Sequence, residues 1–264
     1  IVVGGGPMFV QQAATSAVLV ASLPGAGGAA SIDRFVDTLI GGAAALILTL
    51  VVLPVRPLKL VRAATEPTIY ELAGTFADIA RGMRARDPQI SLQALRRART
   101  TGDLWAQLAV ALDIGSQAAR VAPARRREQH ALGDIARSVE QLDYTIRNAR
   151  VTARVALRLV ETDSIRSPDL APSIDFLGTA ARELGAHING DIDAAPRVRV
   201  AAEAAAYASA RVTYDEHDLL ITHLTGQIRS TVIDLFRATG MTRERALTVM
   251  LGAVERGRTA AGRE

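Results

Sequence analysis

Two long uncharged stretches at the start of the chain constrain its fold more than any other sequence feature. Residues 1–23 contain no charged side chain, and residues 38–55 form a second uncharged run of 18 residues. About 20 apolar residues in a helix, which rise roughly 30 Å, cross the hydrocarbon core of a bilayer. We therefore predict two membrane-spanning helices at 1–23 and 32–55, joined by the glycine-rich turn at 24–28.

A buried hairpin in a large soluble protein is the alternative interpretation of these runs. Gly4-Gly5-Gly6, Pro7 and the pair Gln11 and Gln12 are unfavourable in a soluble helix. In a membrane helix they are tolerated where neighbouring helices cover them. Two such runs in tandem exceed most buried core helices, which favours the membrane. The chain starts with Ile1 rather than Met, so we interpret it as a fragment and expect earlier segments to lie outside it.

The charged residues that follow the second run give an orientation. Arg56, Lys59 and Arg62 occur with no acidic residue before Glu66. Positively charged flanks of membrane helices remain on the cytoplasmic side. We predict that these three basic residues contact lipid head groups and that the rest of the chain is cytoplasmic.

Apolar residues beyond the basic flank recur at alternating spacings of three and four, which is typical of closely packed helices. Thr65-Glu66-Pro67 predicts a helix start, Asp87-Pro88 a boundary, and Asn189-Gly190 a helix end. The longest pattern runs over 123–161, and a further helical region covers 196–239. The apolar face of the longest helix comprises Leu132, Ile135, Val139, Leu142 and Ile146.

These patterns predict an all-α chain, namely a transmembrane helical hairpin followed by a cytoplasmic long-helix bundle. The hairpin occupies residues 1–55, and a basic juxtamembrane linker occupies 56–64. The cytoplasmic bundle, which we expect to be organised around the long third helix, covers 65–257. The polar residues 258–264 are predicted to be a flexible tail.

The sequence offers little of the chemistry that enzymes use. With no cysteine, the chain has no disulfide, thiolate metal site or cysteine nucleophile. His217 and His223 are six residues apart and do not share a helix face, and no HExxH or GxSxG motif occurs. We predict that the chain is not an enzyme and has neither metal nor cofactor.

The clustered arginines, such as Arg125–Arg127, raise nucleic acid or anionic lipid as partners. Acidic residues are nearly as numerous as basic ones, 27 against 31, and aromatic residues for base stacking make up 4%. We therefore predict solvated helix faces and no nucleic-acid partner.

One pair of charged residues lies at the mouth of the second predicted span. Arg34 and Asp37 are three residues apart and share a helix face. Ionisable groups in a membrane segment are costly and usually face a partner or a water-filled path. A structural explanation is equally open, because Asp37 would complement the positive end of its helix and Arg34 would extend toward the interface.

The residues around this pair form a recognisable pattern, Arg34-Phe-x-Asp-Thr-Leu-Ile-Gly-Gly42, followed by an apolar run and Leu53-Pro-Val-Arg-Pro-Leu58. This pattern resembles the closing membrane helix of the fusaric-acid-resistance-like (FUSC), or aromatic acid exporter, family. The stretches 122–127, 142–150 and 227–235 are also similar to actinobacterial-type members.

The resemblance implies an integral protein of the cell membrane that exports aromatic acids or similar compounds through a bundle of several spans. Two spans cannot enclose a path, so transport would need missing N-terminal transmembrane helices or a homo-oligomer. The expected partners are membrane lipid and a small organic acid.

From the resemblance and the charges, we place a transport path on Arg34, Asp37, Thr38, Gln11 and Gln12. Gly41 and Gly42 would allow close helix packing. The alternative function is a membrane-anchored helical module that binds a partner or senses the membrane without transporting anything.

Overall fold

The chain divides into two compact units, Ile1–Pro54 and Val55–Glu264. A computed structural model describes residues 15, 36–42, 44, 57–121, 126–165, 167–212 and 218–263. Within those residues of the first unit the backbone is helical.

Seven α-helices make up the described part of the second unit. They are α1 (Pro57–Ala85), α2 (Pro88–Val121), α3 (Arg126–Glu161), α4 (Leu170–Ile188), α5 (Ala194–Arg211), α6 (Leu219–Ala238) and α7 (Arg243–Ala261). No β-strand occurs among the described residues, so the all-α prediction is confirmed. None of the helices within these ranges is both long enough and apolar enough to cross a bilayer. The predicted spans, 1–23 and 32–55, fall almost wholly outside the described residues.

The first helix begins earlier than the sequence pattern suggested. α1 starts at Pro57 rather than at Thr65, so the predicted linker is helical from residue 57 onward. Proline is favoured in the first turn of a helix because its missing N–H is not needed there. Pro67 remains inside α1, and the hydroxyl of Thr65 donates to the Val61 carbonyl at 2.9 Å in the same turn.

Several helix ends follow the local chemistry of the sequence. Gly190, just after α4, has a φ of 98°, which glycine adopts without strain, and the predicted end at Asn189-Gly190 is confirmed. Thr242 caps α7 by accepting a hydrogen bond from the Arg245 amide. The predicted tail is shorter than expected, because α7 continues to Ala261. The predicted region 196–239 consists of two helices, α5 and α6.

The helices bury one continuous apolar core. α1 and α2 form an antiparallel hairpin, and α1 also packs against α3 and α4. α3 packs against α1, α2 and α6, while α5 contacts α4, α6 and α7. The predicted apolar face of α3 is buried as expected, with its five residues at most 7% exposed. Other helices have as many neighbours as α3, however, so the centre of the bundle is shared.

Candidate functional site

The predicted transport path is only partly covered by the structure. Asp37 and Thr38 lie in the helical segment 36–42, and both are exposed. Arg34, Gln11 and Gln12 lie outside the described residues. The pairing of Arg34 with Asp37 therefore stays a prediction.

The same segment contains the glycines that we expected to pack against another helix. Gly41 and Gly42 are helical and exposed. No described atom lies within 4 Å of the position that a Cβ would take at either glycine. A helix could approach this face closely, and the packing role stays a prediction.

The three basic residues predicted to contact lipid have different surroundings. Lys59 is exposed in the first turn of α1, and Arg56 lies outside the described residues. Arg62 is half-buried, and its guanidinium packs so closely on Gly190 that a Cβ there would stand 2.7 Å from Nη2. Arg62 therefore lies beside the C-terminal end of α4, where a cation is favoured by the helix dipole.

A carboxyl group is buried between α3 and α6. Asp234 is 9% exposed, and Asn148 Nδ2 donates to its Oδ2 at 2.8 Å. Burial raises the pKa of Asp234 to about 7, while Arg237 and the hydrogen bond from Asn148 oppose that shift. The Asp234 carboxyl therefore changes its charge close to neutral pH.

This pair joins two of the sequence stretches that carry the family resemblance. Asn148 belongs to 142–150 on α3, and Asp234 belongs to 227–235 on α6. Neither residue was predicted from the sequence to be functional. The sequence feature that could have indicated Asp234 is its position next to Leu235, which is fully buried on the apolar face of α6.

We expect Asp234→Asn to remove a pH dependence of stability. Because the carboxyl pKa is higher in the folded chain than the value of about 3.9 in an unfolded one, the folded chain holds the proton more tightly. The resulting stabilisation is full below about pH 4 and is lost as the pH rises toward 7. Urea unfolding should show the native chain losing on the order of 2–4 kcal/mol, relative to the variant, between pH 4 and pH 8.

The matched control for this measurement is Asp163→Asn in the turn after α3, whose side chain is 74% exposed in an ion pair with Arg86. It should leave the pH dependence almost unchanged. A parallel pH dependence in the native chain and Asp234→Asn would contradict the assignment.

A second polar cluster links α1 to α2. Arg97 Nε donates to Glu71 Oε2 at 2.8 Å, and its Nη1 donates to Asp78 Oδ2 at 3.1 Å. The guanidinium also lies 5.4 Å from the ring centre of Tyr70. Burial opposes the charge on Arg97, but the hydrogen bonds to the two carboxylates outweigh it and raise its pKa. Because Arg97 of α2 binds two carboxylates of α1, this cluster stabilises the packing of α1 against α2, and we do not assign it as a ligand site.

A surface groove of about 360 Å³ lies between α4 and α5. Its apolar walls include Phe176 and Val200, which are 39% and 70% exposed. At one end Arg197 binds Glu183 Oε2 and Asp191 Oδ2, each at 2.6 Å. The groove is open and largely apolar, and no sequence pattern indicated it, because two separate helices form it.

The structure offers no arrangement for a metal ion among its described residues, where no group of His, Asp or Glu side chains comes together in sufficient number. His130 and His223 are exposed and His187 is half-buried, while His217 lies outside the described residues.

Comparison with known proteins identifies one relevant similarity. A curated protein of Corynebacterium glutamicum, described as an uncharacterized protein, is 29% identical over 259 residues. The match covers 94% of this chain and 65% of that protein, so the chain spans just under two thirds of the length of its relative. No family model matches the chain, and no solved structure matches it. The resemblance to the FUSC family therefore stays a prediction.

Proposed function

We propose that this chain is the C-terminal part of an integral membrane efflux transporter for aromatic or other organic acids, with its helical bundle in the cytoplasm. The observation that carries the proposal is the order of segments along the chain. Two uncharged runs, 1–23 and 38–55, are each long enough to span a bilayer, and the basic flank with Arg56 and Lys59 follows the second run at once. An all-helical bundle then begins at Pro57.

The length of the relative supports the same interpretation. The match with the C. glutamicum protein covers 94% of this chain, so it includes most of the uncharged region as well as the bundle. The remaining third of that relative would accommodate about four further spans of roughly 20 residues each. Additional spans are what a closed transport path requires, because two helices leave a substrate exposed to lipid.

The proposed path begins with the charged pair near the outer mouth of the second span. A guanidinium at Arg34 can hold a carboxylate through two parallel hydrogen bonds. Asp37 would pair with Arg34 when no substrate is bound, which leaves neither charge alone in a low dielectric. When a substrate binds, its carboxylate replaces that of Asp37 on Arg34. When Asp37 pairs with Arg34 again, the substrate is released. Gln11 and Gln12 would supply neutral hydrogen bonds along the path.

The α4–α5 groove favours a second candidate function, a membrane-anchored module that binds a partner. Its exposed Phe176 and Val200 are the kind of apolar surface that binding sites present. Loss of export on disruption of the Arg34 site would favour the transporter. The module would be favoured if disruption of the Arg34 site left export unchanged while substitution of Phe176 abolished binding of a partner.

Cysteine labelling of intact cells that express this chain tests the proposed topology, and the chain contains no cysteine of its own that would also react. We expect Ala29→Cys, in the turn between the two spans, to react with a membrane-impermeant maleimide from outside. Ala260→Cys, in the last turn of α7, should react only after permeabilisation. The opposite pattern would show that the orientation is wrong, and extraction of the chain by alkaline carbonate would show that it is not an integral membrane protein.

A further inference from the structure

The contacts between helices divide the bundle into two groups. α1, α2 and α3 pack against one another, and α5 packs against α4, α6 and α7. Among the described residues, nearly all contact between the two groups comes from two helix pairs, α1 with α4 and α3 with α6. We refer to α1–α3 as the N-terminal half of the bundle and to α4–α7 as its C-terminal half.

The α1–α4 contact is close because α4 presents glycine to α1. A Cβ at Gly185 would stand 2.7 Å from Ile69 Cγ2, and a Cβ at Gly178 would stand 3.3 Å from the Ala73 carbonyl oxygen. Ile69 and Ala73 are buried. None of these residues has a titratable side chain, so this contact can hold the two halves together while the other contact responds to pH.

The α3–α6 contact contains a continuous polar stripe. The two helices are antiparallel, because the Ser138 hydroxyl donates to the Ala238 carbonyl at 2.7 Å and Asn148 lies ten residues on, beside Asp234. Polar residues recur on the contacting faces at spacings of three and four. These residues, which we call the polar seam, are Ser138, Gln141, Thr145, Asn148 and Thr152 on α3 and Gln227, Thr231 and Asp234 on α6.

Three polar atoms of the seam are buried without a hydrogen-bond partner among the described residues. They are Gln141 Oε1 and Thr152 Oγ1 on α3 and Gln227 Oε1 on α6. Gln141 and Thr152 are 4% and 0% exposed. An unpaired buried polar group costs free energy, because water would satisfy it in an open state. The polar seam is therefore held less tightly than an apolar contact of the same size.

Asp234 makes the stability of this contact depend on protonation. Its protonated carboxyl is neutral and accepts the hydrogen bond from Asn148 Nδ2 at 2.8 Å. When the proton leaves, the seam holds a buried negative charge, and one amide donor replaces only part of the lost hydration. Burial accordingly raises the pKa of Asp234 to about 7. Opening of the seam would return the ionised carboxylate to water.

Other charged groups on α6 and the helices packed against it act differently. Arg237, one turn further along α6, favours the ionised form of Asp234. The others are Asp143, which pairs with Arg147 on α3, Arg199 of α5, which donates to Thr239, His187 of α4, which lies near Arg199, and Glu244 of α7, which lies near Arg237. Burial, assisted by Arg199, lowers the pKa of His187, so this histidine is neutral at the pH at which Asp234 changes charge.

We propose that the polar seam is a proton-controlled contact between the two halves of the bundle. It is closed when Asp234 is protonated. When Asp234 is ionised, α3 and α6 separate at the seam while the α1–α4 contact persists and acts as the hinge.

Such a contact would suit a transporter of organic acids, and this link rests on the proposed function, whereas the contact itself does not. A carboxylic acid with a pKa of about 4 crosses a bilayer in its neutral form and releases its proton near pH 7. The fall in cytoplasmic pH would protonate Asp234 and close the seam when the substrate is present.

The test measures distances between spin labels in the purified full chain, which has no cysteine of its own. Arg154→Cys on α3 and Thr222→Cys on α6 place labels at exposed positions on either side of the seam. With a carboxyl pKa of about 7 when closed and about 3.9 when open, the ratio of open to closed chains should rise roughly thirtyfold from pH 5.5 to pH 8.

A control pair of labels, at Glu66→Cys on α1 and Arg182→Cys on α4, spans the hinge at exposed positions. Its distance should be the same at both pH values. A change at both pairs would show general unfolding and would contradict a hinge at the α1–α4 contact.

Substitutions assign the effect to Asp234. Asp234→Asn cannot ionise, so the seam should stay closed at both pH values. Asp193→Asn removes an exposed carboxylate whose side chain makes no capping hydrogen bond to α5, and opening should persist. Arg237→Gln should move opening to higher pH, because Arg237 favours the ionised carboxylate. Unaltered Trp105 fluorescence at pH 5.5 would show that each variant is folded.

The inference would be overturned by equal Arg154–Thr222 label distances at pH 5.5 and pH 8. Opening that persists in Asp234→Asn, or that does not shift in Arg237→Gln, would also overturn it. These distances are measured without transport. A protein that opens as expected but exports no organic acid would therefore contradict the proposed function and not the proton-controlled contact.

Discussion

Leu142→Ala is expected to destabilise the helical bundle by about 2–5 kcal/mol. Leu142 is in the middle of α3, is 0% exposed, and belongs to the continuous core. Truncation removes three buried carbon atoms and leaves a cavity between α3 and its neighbours, which close-packed helices fill only in part. Alanine is itself a good helix former, so the loss comes from packing and not from helix propensity.

Chemical denaturation of the purified chain, followed by the fluorescence of its single tryptophan, Trp105, measures this loss. A lower midpoint at an unchanged denaturant dependence would indicate a change in stability alone. The matched control is Leu247→Ala on α7, where the side chain is 43% exposed, with an expected change within about 0.5 kcal/mol. An equally small effect at Leu142 would show that the buried face of α3 is assigned incorrectly.

The face of α3 was predictable because helical periodicity is a local property of the sequence. Apolar residues spaced by three and four must share one side of a helix, and that side is buried whatever it packs against. Helix ends marked by glycine or a capping hydroxyl, such as Gly190 and Thr242, were predictable for the same reason.

Features that depend on distant contacts were not predictable in this way. The start of α1 was placed too late because Pro67 resembles a first-turn proline, whereas the burial of Pro57 and Val61 extends the helix toward the N-terminus. Asn148 and Asp234 are 86 residues apart, so no local spacing relates them. The α4–α5 groove likewise arises from the packing of two helices, each of which has an ordinary sequence.

The division of the predicted helical region 196–239 into α5 and α6 was indicated by a local feature of the sequence that the apolar periodicity obscured. Asp218 caps α6 by accepting a hydrogen bond from the Ile221 amide. The polar sequence Thr213–Asp218 before it contains no aliphatic residue that would continue the apolar face of α5. A capping acid after a polar stretch indicates a new helix.

Arg34→Lys is expected to abolish export of an aromatic carboxylate by the complete protein that we propose to be a transporter. The substitution keeps the positive charge and the long side chain that can reach the interface. It removes the planar fork through which a guanidinium forms two parallel hydrogen bonds to one carboxylate. If Arg34 holds the substrate, the ammonium group of lysine would bind it with poorer geometry and would pair differently with Asp37.

Efflux of a radiolabelled aromatic acid from cells, normalised to the amount of transporter in the membrane, measures the effect. Arg56→Lys is the matched control, because it makes the same change at a position proposed to contact lipid head groups, where either cation suffices. Its export should be normal. Normal export by Arg34→Lys would exclude the carboxylate clamp, whereas a collapse of its membrane level would assign Arg34 to helix packing. Loss of export at a normal membrane level, with the Arg56 control intact, would locate substrate recognition at the mouth of the second span.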